Sequence, residues 1–175
     1  KAAVVIADEW DWKEVVIWSL GHLRMEGAWD YRFPLLYREP ITQESDRRQI
    51  DPSWAFAITR QESAFAHKAK SSAGALGLMQ LMPATAKQTA KRHKITYRHQ
   101  RDLLTPSVNI RLGVAHLGEL VRENDGNFVY ATAAYNAGQG RVNRWRSQFD
   151  SLPIDLWIES IPYSETRNYV KNVMA

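Results

Sequence analysis

One carboxylate in this sequence is placed for acid–base chemistry. Asp51-Pro52 reads as a helix start, with Asp as N-cap and Pro at the first helical position. The helix it opens is predicted to run to about Ser63. Ile58, Ala55 and Trp54 lie four, seven and eight positions before Glu62, so Glu62 shares the apolar stripe of that helix. A carboxylate on a core-facing stripe loses solvation, which raises its pKa. It then stays protonated near neutrality, the state a general acid needs. The plainer alternative is a glutamate paired with Arg60 or a lysine at the helix end.

Three further segments carry polar groups in unusual company. The run from Ser71 to Pro83 holds Gly74 and Gly77, Gln80 inside an apolar stretch, and Met82. Glycines let backbone approach a ligand closely, a buried amide needs partners, and methionine offers an adaptable apolar surface. Ala133-Ala134-Tyr135-Asn136-Ala137-Gly138 is either a helix C-cap or a pair of sugar-bonding side chains. Glu159-Ser160-Ile161-Pro162-Tyr163-Ser164-Glu165-Thr166-Arg167-Asn168-Tyr169 reads as a loop and N-cap, with Glu165 favouring the helix dipole.

Helices must position these groups. Residues 12–25 place Val15, Val16, Trp18 and Leu23 near one face, with Gly27 as a stop. Four of the seven tryptophans precede residue 30, which hints at a separate packing unit. Residues 31–43, with Pro34 and Pro40, read as a connector. Residues 71–78 read as a loop or short hairpin. Pro83 opens a helix through roughly Lys94, and Thr105-Pro106 repeats the cap-plus-proline signal ahead of 108–123. Residues 128–137 form a short apolar helix closed by Gly138. Further helices are predicted over 140–148 and 164–175, the last capped by Ser164. Long regular strands are missing, so the predicted fold class is mainly α with at most a short β-hairpin.

Taken in order, Glu62-Ser63, then Gly77-Leu78-Met79-Gln80-Leu81-Met82-Pro83, then Ala134-Tyr135-Asn136-Ala137-Gly138, then Ile161 to Tyr169 resemble the soluble lytic transglycosylases. These bacterial enzymes cleave peptidoglycan glycan strands with a lysozyme-like, mainly helical catalytic domain. The resemblance covers about residues 38–175. Residues 1–37 look like the tail of the helical linker domain that precedes it in the larger periplasmic members. By resemblance Glu62 is the catalytic acid/base and Ser71 sits near the reacting sugar's acetamido group. Gln80 and Met82 line the groove, Tyr135 and Asn136 stand beside the glutamate, and Glu165 contacts substrate farther along. The implied reaction breaks the β-1,4 bond between N-acetylmuramic acid and N-acetylglucosamine. It leaves a 1,6-anhydro end and uses no metal or cofactor. The partners expected are glycan strands and muropeptides, in the periplasm, without a transmembrane segment. None of the family motifs quoted above falls within residues 87–101.

Composition narrows the rivals. The chain has 175 residues, 45% hydrophobic and 24% charged, which suits a globular domain with a sizeable core. No cysteine is present, so disulfides, thiolate zinc sites and iron–sulfur clusters are excluded. No apolar run approaches the roughly 20 residues of a membrane span. Lys1 is not a start methionine and the last residues stop within a helical pattern, so a longer parent chain is expected. The net charge of +4 favours polyanionic partners. No Asp or Glu occurs over residues 63–101. A hydrolase normally uses two carboxylates, so this gap suits a one-carboxylate mechanism, although Glu159 or Glu165 can fold back. A goose-type lysozyme is the enzymatic rival. A non-catalytic binding module is the other, but no nucleic-acid motif appears and aromatics do not interleave with the basic residues.

Overall fold

The computed structural model describes residues 33–175 and, ahead of them, Ala7, Trp12, Val15, Val16, Ile17 and Ser19. The helix predicted over 12–25 and the linker assignment of 1–37 therefore lie largely outside the described residues. From residue 33 on, the chain forms α1 (Arg38–Arg48), α2 (Pro52–Ser63), α3 (Pro83–His93), α4 (Pro106–Glu123), α5 (Phe128–Ala137), α6 (Gln139–Gln148), α7 (Ile154–Ser160) and α8 (Ser164–Met174). A 3₁₀ turn, Gln100–Leu104, precedes α4. Among the described residues β-structure is limited to isolated antiparallel bridges, Lys70 to Leu76 and Leu76 to Leu81.

Proline sets three of the starts. It occupies the first turn of α2, α3 and α4, where the missing N–H has no intrahelical acceptor to lose. At α2 the Asp51 carboxylate also accepts from the Ser53 amide at 2.8 Å. At α5 Asn127 accepts from the amides of Val129 and Tyr130.

Three readings are corrected. The connector ends sooner than 43, because α1 starts at Arg38 with Pro40 in its first turn, where proline is tolerated. Ser164 is not the cap of α8: Tyr163 is the extended residue, and no side chain caps that end. The short α7 and the 3₁₀ turn were not predicted at all.

Helix α4 runs through the middle and is buried on both sides. Its Ile110, Val114 and Leu117 join a large apolar cluster with Ile41, Ile58, Ala131, Trp157 and Val170. Its Leu112 and Ala115 join a smaller one with Leu81, Ala86, Ala90, Ile95 and Leu103. Tyr135 packs against both clusters. Glu62 stands at this seam, at the end of α2.

Candidate active site

Helix α2 delivers Glu62 one residue before it stops. Ala64 and Phe65 then both take positive φ, 48° and 66°, which turns the chain sharply away. Trp54 and Ile58 bury the stripe beneath, and Trp54 Nε1 donates to Thr132 Oγ1 of α5 at 2.9 Å. Glu62 itself is half-buried. Among the described residues it has no ion-pair partner, so the pairing alternative with Arg60 or a lysine is not what forms. Its partner is Tyr169 of α8, whose hydroxyl donates to Glu62 Oε1 at 2.6 Å.

The electrostatics follow from this setting. Burial raises the Glu62 pKa, the Tyr169 hydrogen bond pulls it down, and the charge of Glu165 pushes it up, leaving it at about 7. A group poised there is a competent proton donor and a competent acceptor at neutral pH. Tyr169 and Tyr135 are both held well above the usual phenol range, by burial first and then by the Glu62 charge. Both therefore stay neutral donors.

The loop between α2 and α3 is fixed to this glutamate by polar pins. Ser63 Oγ donates to the Leu78 carbonyl at 2.7 Å. Tyr135 Oη donates to the Met79 carbonyl at 2.7 Å. Asn109 of α4, fully buried, accepts from the Met79 amide at 2.8 Å and donates to the carbonyls of Leu76 and Leu103. Gly77 has φ +76°, and a Cβ there would collide with the Leu103 carbonyl oxygen and the Asn109 side chain. Gly113 on α4 leaves space that Met79 fills. Behind Tyr135 stands His116, ring to ring at 5.6 Å. His116 in turn meets Glu119, as do Arg92 and His93 at 2.9 Å. Burial alone would raise the Glu119 pKa. The His116 hydrogen bond, the Arg92 and His116 charges and the His93 hydrogen bond outweigh it and hold Glu119 at about 2.

The structure gathers some predicted residues at Glu62 and places others apart. Glu165 acts on Glu62 electrostatically, and the Glu62 charge in turn acts on Tyr135. Asn136 Oδ1 accepts from Thr166 Oγ1 at 2.7 Å, which ties the end of α5 to the start of α8. Gln80 donates to the carbonyls of Ala69 and Gly77 at 3.2 and 2.9 Å. The Ser71 hydroxyl accepts from the Ala75 amide at 2.9 Å, closing an exposed turn. Met82 is exposed at the start of α3. Neither Ser71, Gln80 nor Met82 bonds to Glu62. Sequence reasoning gave no role to Tyr169, Ser63 or Asn109. Tyr169 had a signal, since it shares a helical stripe with Thr166, Val170 and Val173.

Comparison with known proteins follows the same lines. A family model described as Transglycosylase SLT domain matches residues 39–158, and one described as Soluble lytic transglycosylase helical domain matches residues 160–175. The soluble lytic murein transglycosylase of Salmonella typhimurium is 45% identical over 152 residues, 84% of this chain and 24% of that protein. Its Escherichia coli counterpart is 43% identical over 152 residues, with the same coverage. The chain thus spans about a quarter of the length of these curated relatives. The crystal structure of a lytic transglycosylase Slt inactive mutant from Pseudomonas aeruginosa superimposes with TM-score 0.94 at 44% identity, covering 99% of this chain and 28% of that one. A 70-kDa soluble lytic transglycosylase complexed with bulgecin A gives 0.92 at 38% identity, covering 99% and 28%. The mainly helical fold is that of these enzymes, and the chain belongs to the Transglycosylase SLT domain family.

Proposed function

We propose that this chain is the catalytic part of a peptidoglycan lytic transglycosylase. It cleaves the β-1,4 bond between N-acetylmuramic acid and N-acetylglucosamine without consuming water, for cell-wall turnover. The observation that carries the reading is Glu62: half-buried, poised at about 7, bonded to a neutral tyrosine, in a chain of this family.

In the mechanism Glu62 starts protonated and gives its proton to the bridging oxygen as the bond from C1 breaks. The substrate's own 2-acetamido oxygen stabilises the cation developing at C1. Glu62, now a carboxylate, takes the proton of the C6 hydroxyl, and O6 closes onto C1 as a 1,6-anhydro ring. Tyr169 holds the carboxyl through one oxygen and leaves the other for the sugar. Ser71, Gln80, Met82, Tyr135, Asn136 and Glu165 are proposed to line the groove. No metal or cofactor enters these steps.

A hydrolytic, goose-lysozyme-type reading has one observation in its favour: Glu165 is a second carboxylate within electrostatic reach of Glu62. Mass spectrometry of digested glycan strands decides between them. Anhydro ends, lighter by one water than reducing ends, are expected; reducing ends alone would assign the hydrolytic reaction.

Residues 1–37 as the end of a helical linker and 38–175 as the catalytic domain belong to the same proposal. The packing of α8 on α2 and α5 supports keeping the C-terminal helix in the catalytic unit. Cleavage by residues 38–175 alone would bear this out, and an unfolded product would overturn it. Among the described residues no helix is long and apolar enough to cross a membrane. A periplasmic location is proposed with the activity, and fractionation of producing cells checks it.

A further inference from the structure

The segment between Glu62 and Asp102 is electrostatically unlike the rest of the chain. It holds eight of the 23 Lys and Arg residues and none of the 19 acids, so the remainder is net acidic. Arg92 is spent on Glu119, at 2.9 Å. Arg101 acts on the Asp102 carboxylate, whose oxygen already accepts from the amides of Arg98 and His99. The other six, Lys68, Lys70, Lys87, Lys91, Lys94 and Arg98, are exposed and have no carboxylate partner among the described residues.

Their placement is ordered. Lys68 and Lys70 lie just before Ser71, on the strand of chain whose Ala69 carbonyl accepts from Gln80. Lys87 and Lys91 recur at helical spacing on α3, on a face beside its buried Ala86, Thr89 and Ala90, and Lys94 follows as the residue that ends the helix, with φ 54°. At 1.5 Å per residue they stand about 7 to 18 Å along the helix from Met82. The row of cations therefore begins where the candidate groove residues end.

We infer that this face binds the carboxylates of the short peptides attached to the glycan strand. The inference rests on the transglycosylase reading of the site. In such a strand the sugar backbone is uncharged, because the lactyl carboxyl of each muramic acid is taken up in the peptide linkage. The negative charge sits on flexible peptides that branch from the strand beside the cleaved bond. Ammonium groups on long, mobile stems suit carboxylates of variable position, which a rigid guanidinium fork does not. Two other polyanions fit less well. A membrane-surface helix presents a large apolar face beside its basic one, and the apolar face of α3 is already buried in the small cluster. Single-stranded nucleic acid needs stacking aromatics among the cations, and Tyr97 is the only aromatic from Lys68 to Arg101.

The test uses the full chain carrying Glu62→Gln, so that binding is read without cleavage. Co-sedimentation is measured on peptide-bearing glycan strands and on the same strands stripped by an amidase, with the lactyl carboxyls so freed capped as methyl amides to keep the sugar backbone uncharged. Peptide-bearing strands should bind about tenfold tighter, and raised salt should erase the difference. Adding Lys87→Gln, Lys91→Gln and Lys94→Gln should remove most of that advantage and leave binding to stripped strands unchanged. Lys68→Gln with Lys70→Gln gives a second, independent variant in case the first misfolds. Equal affinity for both strands, equal weakening on both, or weakening seen only on anionic vesicles or DNA would each overturn the inference. Anhydro-forming cleavage by the parent with no preference for peptide-bearing strands sinks this inference alone. Failure of the parent to cleave either strand sinks the transglycosylase reading beneath it.

Discussion

The large and small clusters on either side of α4 are held together differently. The large one closes by helix against helix: α1 and α5 on α4, α8 on α5 and α2, with Ile41, Ile58, Leu117 and Trp157 buried. The small one has one long helix of its own, α3, and otherwise irregular chain. What fixes that irregular chain is a set of hydrogen bonds from Asn109, Ser63 and Tyr135 to the backbone of residues 76–79. Apolar contacts tolerate small slips because they are non-directional. Hydrogen bonds do not, since they weaken steeply with distance and angle. The half that carries the groove loop is thus positioned by directional contacts, and the half that carries Glu62 supplies the bulk of the stability. Glu62 gains its raised pKa from lying where the two meet.

The largest expected effect is on Glu62 itself. Glu62→Gln keeps the shape but has no acid proton to give. Glycan cleavage should fall at least on the order of 10²–10⁴-fold, with strand binding kept. Activity within a few-fold of the parent would move the chemistry elsewhere.

Asn109→Leu and Leu117→Ala sharpen the contrast between the two regions. The first strands the Met79 amide and two carbonyls in a buried place, at about 1–3 kcal/mol for each group left unsatisfied. The second opens a cavity costing about 2–5 kcal/mol. Both should lower the melting temperature. Well below it, the folded Leu117→Ala protein should keep near-parent specific activity while Asn109→Leu loses most of it. Equal activity per folded molecule would dissolve the distinction.

Much of this arrangement was legible in the sequence, for identifiable reasons. The Pro-marked starts of α2, α3 and α4 are local signals, and the structure keeps all three. Glu62 was legible because its stripe, Trp54, Ala55 and Ile58, lies within its own helix. Tyr169 and Asn109 were not, because their partners lie 107 and 30 residues away. Ser71 was legible only through family resemblance and Gln80 also as an amide inside an apolar run, and here their side chains hold the loop's own backbone. The short α7 offers a single turn's worth of pattern on each side of Trp157, too little for a helical period.

Smaller effects are expected one hydroxyl at a time. Tyr135→Phe frees the Met79 carbonyl and Ser71→Ala frees the Ala75 amide. Each should lower kcat/KM on the order of 10–10³-fold if the hydroxyl serves the reaction, directly or through the loop. Ser71→Ala, in an exposed turn, should barely move the melting temperature, whereas Tyr135→Phe should lower stability by about 1–3 kcal/mol because it leaves the carbonyl of buried Met79 without its donor. A large thermal loss with normal activity would make both purely structural.

A subtler effect is on stability against pH. The folded-state pKa of Glu62 lies above its ordinary value, so the folded protein holds the proton more tightly than the unfolded chain. Stability from this group is full below about 4.5 and is lost as pH rises to about 7. Glu62→Gln cannot ionise, so it should be more stable than the parent in mildly alkaline buffer, by at most about 3 kcal/mol. The gain should vanish in acid, and a gain independent of pH would contradict the burial of Glu62.

Direct titration of the Glu62 side chain by carbon-detected NMR, with Glu62→Gln assigning the signal, tests the seam most directly. A midpoint near 7 is expected, falling after Glu165→Gln removes the neighbouring charge. A midpoint near 4.5 would place Glu62 in ordinary solvent and leave it ionised at neutral pH, with no proton to give the glycosidic oxygen.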